Sequence, residues 1–235
     1  MKRYSQQKRL LFAVDCIIFG YDGQELKLMV IQRSFSPFKG DWSLVGGFVE
    51  EKESAEDAAK RILKQLTGLD GLYMEQLHAF SAIDRDTVER TISIAYFALI
   101  DIQKYKKQIN EDFHPAWVSI NKLPKLIFDH TEIVELAKKK LRYNAALHPL
   151  LFELLPAKFT MPQLQHLYQC VYNTEFDKGN FSRKILSTKL LMKLKEKDKQ
   201  GSKKGAFYYK VDTKKYTASF NSFLNLVPAQ NGWKE

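Results

Sequence analysis

The chain has 235 residues, 45% apolar and 27% charged, the composition of a soluble globular protein with room for one large domain or two ordinary ones. Its two cysteines, Cys16 and Cys170, lie far apart and outside any CxxC pair. That argues against a disulfide framework or a zinc site and fits free thiols in a reducing cytoplasm. The net charge of +10 is uneven, since residues 1–140 carry 21 basic and 20 acidic side chains while residues 141–235 carry 16 and 7; the second part is expected to face a polyanion.

In chain order, the basic N-terminus runs into a short apolar stretch broken by Asp15, read as a strand rather than a signal peptide. No stretch is long enough to span a membrane. Leu10–Phe19 and Leu26–Gln32 form a hairpin about the D-G turn at Asp22-Gly23. Trp42–Val45 is a short strand leading into Gly46-Gly47. Ser54 is the expected N-cap of a helix with Ala55, Ala59, Ile62 and Leu66 on one face, and Gly68 is its stop. Leu72–Ile83 and Thr91–Ile100 are strands, Ala116–Ile120 is extended, and Thr131–Tyr143 is a helix. This α/β domain is expected to span residues 1–145. Residues 146–235 then read as a short apolar helix at His148–Leu155 and a helix capped by Thr160 with Pro162 in its first turn. A helix at Asn180–Ser187 follows, and then two strands, Leu190–Lys197 and Ala206–Val211, around a polar, glycine-punctuated tip. Helix, turn, helix and basic hairpin form the pattern of a winged helix-turn-helix.

One motif carries chemistry. Gly47 is followed by Glu53, and seven residues separate Glu53 from the run Arg61-Ile62-Leu63-Lys64-Gln65-Leu66-Thr67-Gly68-Leu69. The spacing resembles the Nudix box: Gly47, Glu53, Arg61, Leu63, Gly68 and Leu69 match it in register, and the likeness covers about residues 8–145. It implies an α/β/α sandwich. The family's three helical glutamates fall on Ile62, Gln65 and Leu66. Mg²⁺ requires converging carboxylate oxygens; two of these side chains offer no ligand atom and one offers a neutral carbonyl oxygen. The domain is therefore expected to have no catalytic residue, no metal and no cofactor, and to bind a ligand without hydrolysing it. Arg33, Trp42, Asp84 and Arg85 are the expected ligand-binding residues: an aromatic face and bidentate polar groups suit a sugar, and arginines suit a phosphate.

In the winged helix, Asn180, Ser182, Arg183, Lys184 and Ser187 are expected on the outer face of the recognition helix, with Phe181 and Ile185 anchoring it. Arginine pairs bidentately with guanine and asparagine with adenine. Thr160 and Gln163 are expected to take phosphates, and Lys199, Lys203 and Lys204 at the wing tip the DNA backbone or minor groove.

A degenerate Nudix domain followed by a basic winged helix resembles the Nudix-related transcriptional regulators. That resemblance implies a cytoplasmic homodimer on palindromic double-stranded DNA, with a small-molecule effector: L-arabinose, as in regulators of sugar use, or ADP-ribose, as in regulators of NAD metabolism. The reading favoured at this point is the sugar, because the box region supplies few arginines. An atypical Nudix hydrolase and an RNA-associated protein are the alternatives.

Overall fold

The computed structural model describes residues 7–109, 113–199 and 205–220, with side chains to residue 216. The chain packs as two compact units divided between Lys140 and Leu141.

In the first unit β1 (Leu11–Tyr21) and β2 (Leu26–Gln32) form the expected hairpin, with Gly23 at φ 95° in its turn. The short strand before the box is broken at Leu44 into β3 (Trp42–Ser43) and β4 (Val45–Phe48), so Gly46 and Gly47 are strand residues. Helix α1 (Ala55–Thr67) is capped by Ser54, whose side chain accepts from the Asp57 backbone N–H, and closed by Gly68 at φ 77°. Then come β5 (Glu75–Phe80), β6 (Thr91–Asp101), the single turn α2 (Ile102–Tyr105) and β7 (Ala116–Ser119). Helix α3 (His130–Leu147) carries the chain into the second unit.

β1 organises this sheet. It runs parallel to β6 over its whole length, from Leu11↔Thr91 to Tyr21↔Asp101. On its other side it pairs first with β4, Ala13↔Phe48 to Cys16↔Val45, and then with β2, Phe19↔Leu28 to Tyr21↔Leu26. From Val14 onward both of its faces are buried. Alternate side chains point to opposite faces. Val14, Cys16 and Ile18 pack under α1 with Ala59, Ile62 and Leu63; Asp15, on the opposite face, meets His130 at the start of α3.

The second unit begins with the end of α3. A short 3-10 turn at Leu150–Leu154 replaces the expected helix. The two-residue strand β8 (Phe159–Thr160) leads directly into α4 (Met161–Tyr172), whose capping box joins Thr160 and Gln163. Asp177 caps α5 (Lys178–Ser187). Strands β9 (Leu191–Asp198) and β10 (Ala206–Val211) form the wing, and α6 (Thr213–Phe220) follows. β10 is central, because β8 pairs with it through Tyr208↔Thr160 and Tyr209↔Phe159. Phe181 and Ile185 are buried, and Phe181 packs edge-on against Tyr168. The α/β domain followed by a winged helix is the fold expected from the sequence.

Candidate functional site

In the first unit a hollow of about 410 Å³ opens beside the box. Its walls come from β1, β4, α1, the segment after β2, the loop before β6 and the start of α3. Gly46 and Gly47 allow the close approach: a Cβ at Gly46 would lie 2.6 Å from Asp15 Oδ1, and one at Gly47 would lie 3.0 Å from Ile62 Cδ1.

The box helix presents apolar packing where the Nudix pattern has carboxylates. Ile62 is buried in the core, Leu66 packs against the same cluster, and Gln65 is exposed. Burying a side chain such as Ile62 contributes about 1.5–3 kcal/mol. Glu53 is held by Arg61, which donates to it through Nε at 2.9 Å and through Nη2, and also donates to the Phe48 carbonyl at 3.0 Å. The Arg61 guanidinium holds the Glu53 carboxyl down, to about 2. Among the described residues there is no group of three or more His, Cys, Asp or Glu placed to hold a metal ion. The donor set here therefore does not fit the Mg²⁺ of the Nudix pattern: one carboxylate already tied to an arginine and one neutral amide cannot supply its oxygen cage.

Beneath the hollow lies a buried polar network. Arg85 donates to both oxygens of Asp129 at 2.8 Å and reaches Asp15 Oδ2 at 3.3 Å. Ser93 Oγ donates to Asp15 at 2.7 Å. His130 Nδ1 accepts from the Leu44 backbone N–H at 3.1 Å, which leaves Nε2 to carry the hydrogen and face Asp15 Oδ1 at 3.4 Å. Burial pushes the His130 imidazole below its ordinary value, against the attraction of Asp15 and Asp129. The ring is therefore neutral at pH 7.

Of the expected ligand residues, Arg33 and Arg85 line this hollow. Arg85 is buried with its charge neutralised from below, unlike the exposed turn residue that its sequence context suggests. Asp84 is exposed and outside the lining. Trp42 borders a separate hollow, with Lys27, Lys106, His114 and Trp117. Asp15, Phe35, Phe128, Asp129 and His130 belong to the site as well, and none of them is among the ligand residues expected from the sequence. Asp15 had a signal: a lone carboxylate inside an apolar strand needs a buried partner. Phe128 had none, since its φ of 51° and its edge-to-face contacts with Phe38 and His130 are tertiary facts.

In the second unit α5 exposes Asn180, Arg183, Lys184 and Ser187, while Ser182 is half-buried. Asn180 Oδ1 accepts from Arg183 Nη2, so the two base-reading candidates are paired with each other. Thr160 is buried and its hydroxyl caps α4, so it is a capping residue and is not free for a phosphate. Gln163 is exposed, but its side-chain oxygen accepts from the Thr160 backbone N–H. Lys199 is exposed at the end of β9; Lys203 and Lys204 lie outside the described residues. The wing strands add a feature of their own: Lys193 and Lys197 lie 3.7 and 4.4 Å from the centre of the Phe207 ring. A cation held on a ring is oriented without losing its charge.

Comparison with known proteins gives two family matches: NUDIX domain over residues 9–137, and NrtR DNA-binding winged helix domain over residues 151–211. The chain is 31% identical over 218 residues to the ADPR responsive transcriptional repressor NtrR of Acinetobacter baylyi, covering 91% of this chain and 87% of the relative. It is 35% identical over 136 residues to an ADP-ribose pyrophosphatase of Methanocaldococcus jannaschii, covering 57% of this chain and 77% of that one. Among solved structures, Shewanella oneidensis NrtR complexed with a 27mer DNA aligns with a TM-score of 0.74 and 29% identity over 88% of this chain and 95% of its own. The NUDIX domain of the same protein, complexed with ADP ribose, aligns at 0.51 and 30% over 60% of this chain and 94% of its own.

Proposed function

The chain belongs to the Nudix-domain family, among the Nudix-related regulators that carry an NrtR-type winged helix, and on that premise we propose that it is a DNA-binding transcriptional regulator whose Nudix-like unit senses ADP-ribose. The observation that carries the effector is the gathering of Arg33, Arg61 and Arg85 around one hollow, where Arg33 is the one of the three not held by a carboxylate among the described residues. Only Arg61 belongs to the box; the fold brings the other two from the end of β2 and the loop before β6. This weighs against L-arabinose, the reading that a shortage of arginines along the box favours. A pentose has no anion for these groups to hold, and the two relatives matched by sequence above are named for ADP-ribose. The aromatic rings of Phe35 and Phe128 at the same hollow flank the Arg33 guanidinium, at 4.0 and 5.9 Å from their centres.

α5 and the wing support duplex DNA as the partner. The regulator acts as a homodimer on a palindromic site, in the cytoplasm, and leaves its effector intact. Fluorescence anisotropy with operator DNA tests the reading: ADP-ribose is expected to change operator affinity, and L-arabinose at the same concentration to leave it unchanged. A response to the pentose alone, or Mg²⁺-dependent cleavage of ADP-ribose at ordinary Nudix rates, overturns it.

A further inference from the structure

The three arginines around the hollow are not equivalent. Arg61 is committed to Glu53 and the Phe48 carbonyl, and Arg85 to Asp129 and Asp15. Arg33 makes no ion pair among the described residues, and its Nε is buried with no hydrogen-bond partner. Its guanidinium carbon lies 4.0 Å from the centre of the Phe35 ring and 5.9 Å from that of Phe128.

An unmet buried donor is costly until an acceptor arrives. A guanidinium backed by aromatic rings keeps its charge and its planar fork while losing competing water. A phosphate oxygen pair is the acceptor that the fork fits best. Asp86 and Glu89, also at the hollow, repel a phosphate and suit hydroxyl groups of a ribose instead. The carboxylates that would otherwise bring a cation to the phosphates are absent from Ile62 and Leu66.

Resting on the ADP-ribose reading, we infer that Arg33 receives the diphosphate of the effector directly, supplying the positive charge that a metal ion supplies in the Nudix hydrolases, so that recognition is metal-free. Phe35 and Phe128 hold the guanidinium in position, with Phe128 at a left-handed backbone conformation (φ 51°).

Isothermal titration of the full chain with ADP-ribose, in EDTA and in Mg²⁺, tests this on the wild type, Arg33→Gln and Arg33→Lys. Wild-type affinity is expected to be the same in both buffers. Arg33→Gln is expected to weaken it about tenfold or more, with a smaller loss for Arg33→Lys, which keeps the charge but not the fork. Unchanged near-ultraviolet circular dichroism and melting temperature without effector show that both variants are folded in the unit that carries Arg33. If ADP-ribose binds the wild type and Arg33→Gln leaves that affinity intact, or if chelation alone abolishes binding, this inference falls and the effector reading stands. If the wild type binds no ADP-ribose in either buffer, both fall.

Discussion

Replacing Arg85 with methionine removes the one guanidinium that Asp15 and Asp129 share, and leaves two buried carboxylates without it. Breaking a buried pair in this way typically costs about 3–5 kcal/mol, so Arg85→Met is expected to lower the urea midpoint strongly. Replacing Asp129 with asparagine in the same background is expected to recover part of the loss, because one of the stranded charges is gone. His130 is the network's titrating member. Its imidazole is held below its ordinary value of 6.5, so the unfolded chain binds a proton before the folded one does. The stability this contributes is complete above that value and falls away as the pH drops below it. Melting temperatures between about pH 7.5 and about pH 5 are expected to fall more steeply for the wild type than for His130→Gln, which keeps an acceptor for Leu44 but does not titrate.

At the scale of elements, α5 carries the sharpest expectations. Arg183→Ala is expected to weaken operator binding by about 1–3 kcal/mol and to relax preference at one base pair. Lys184→Ala is expected to weaken all DNA alike and to reduce the slope of affinity against salt by about one. Titrations at several salt concentrations separate the two. The elements themselves were largely legible in the sequence. Ser54 and Gly68 bracket α1, Asp22-Gly23 marks the β1–β2 turn, and Thr160 with Pro162 announces α4, because each of these signals is local chemistry between near neighbours. What was not legible is long-range pairing. The two residues of β8 have no strand pattern and exist because β10 offers them an edge. The hollow's arginines lie some 28 and 52 positions apart along the chain, Arg33 to Arg61 and Arg33 to Arg85, so counting them along the box undercounted the charge that folding collects. Thr160 shows the reverse error: a cap and a phosphate ligand look the same in sequence, and only its burial decides between them.

For the whole molecule, on the proposed reading, effector and operator are two ligands of one chain, and their effects on each other are reciprocal. Whatever factor ADP-ribose changes operator affinity by, operator DNA is expected to change ADP-ribose affinity by the same factor; paired titrations that gave unequal factors would exclude a simple two-site regulator. ADP-ribose at 100 times its Kd is expected to add about 2.7 kcal/mol to unfolding of the free chain. A last consequence belongs to the box helix, where Ile62 and Leu66 fill the positions of the missing carboxylates. On the proposed reading, an effector that is not consumed sets no clock. The signal then decays only as fast as the molecule dissociates, the occupied fraction follows the current concentration with no memory of past exposure, and sensing consumes none of the pool it measures.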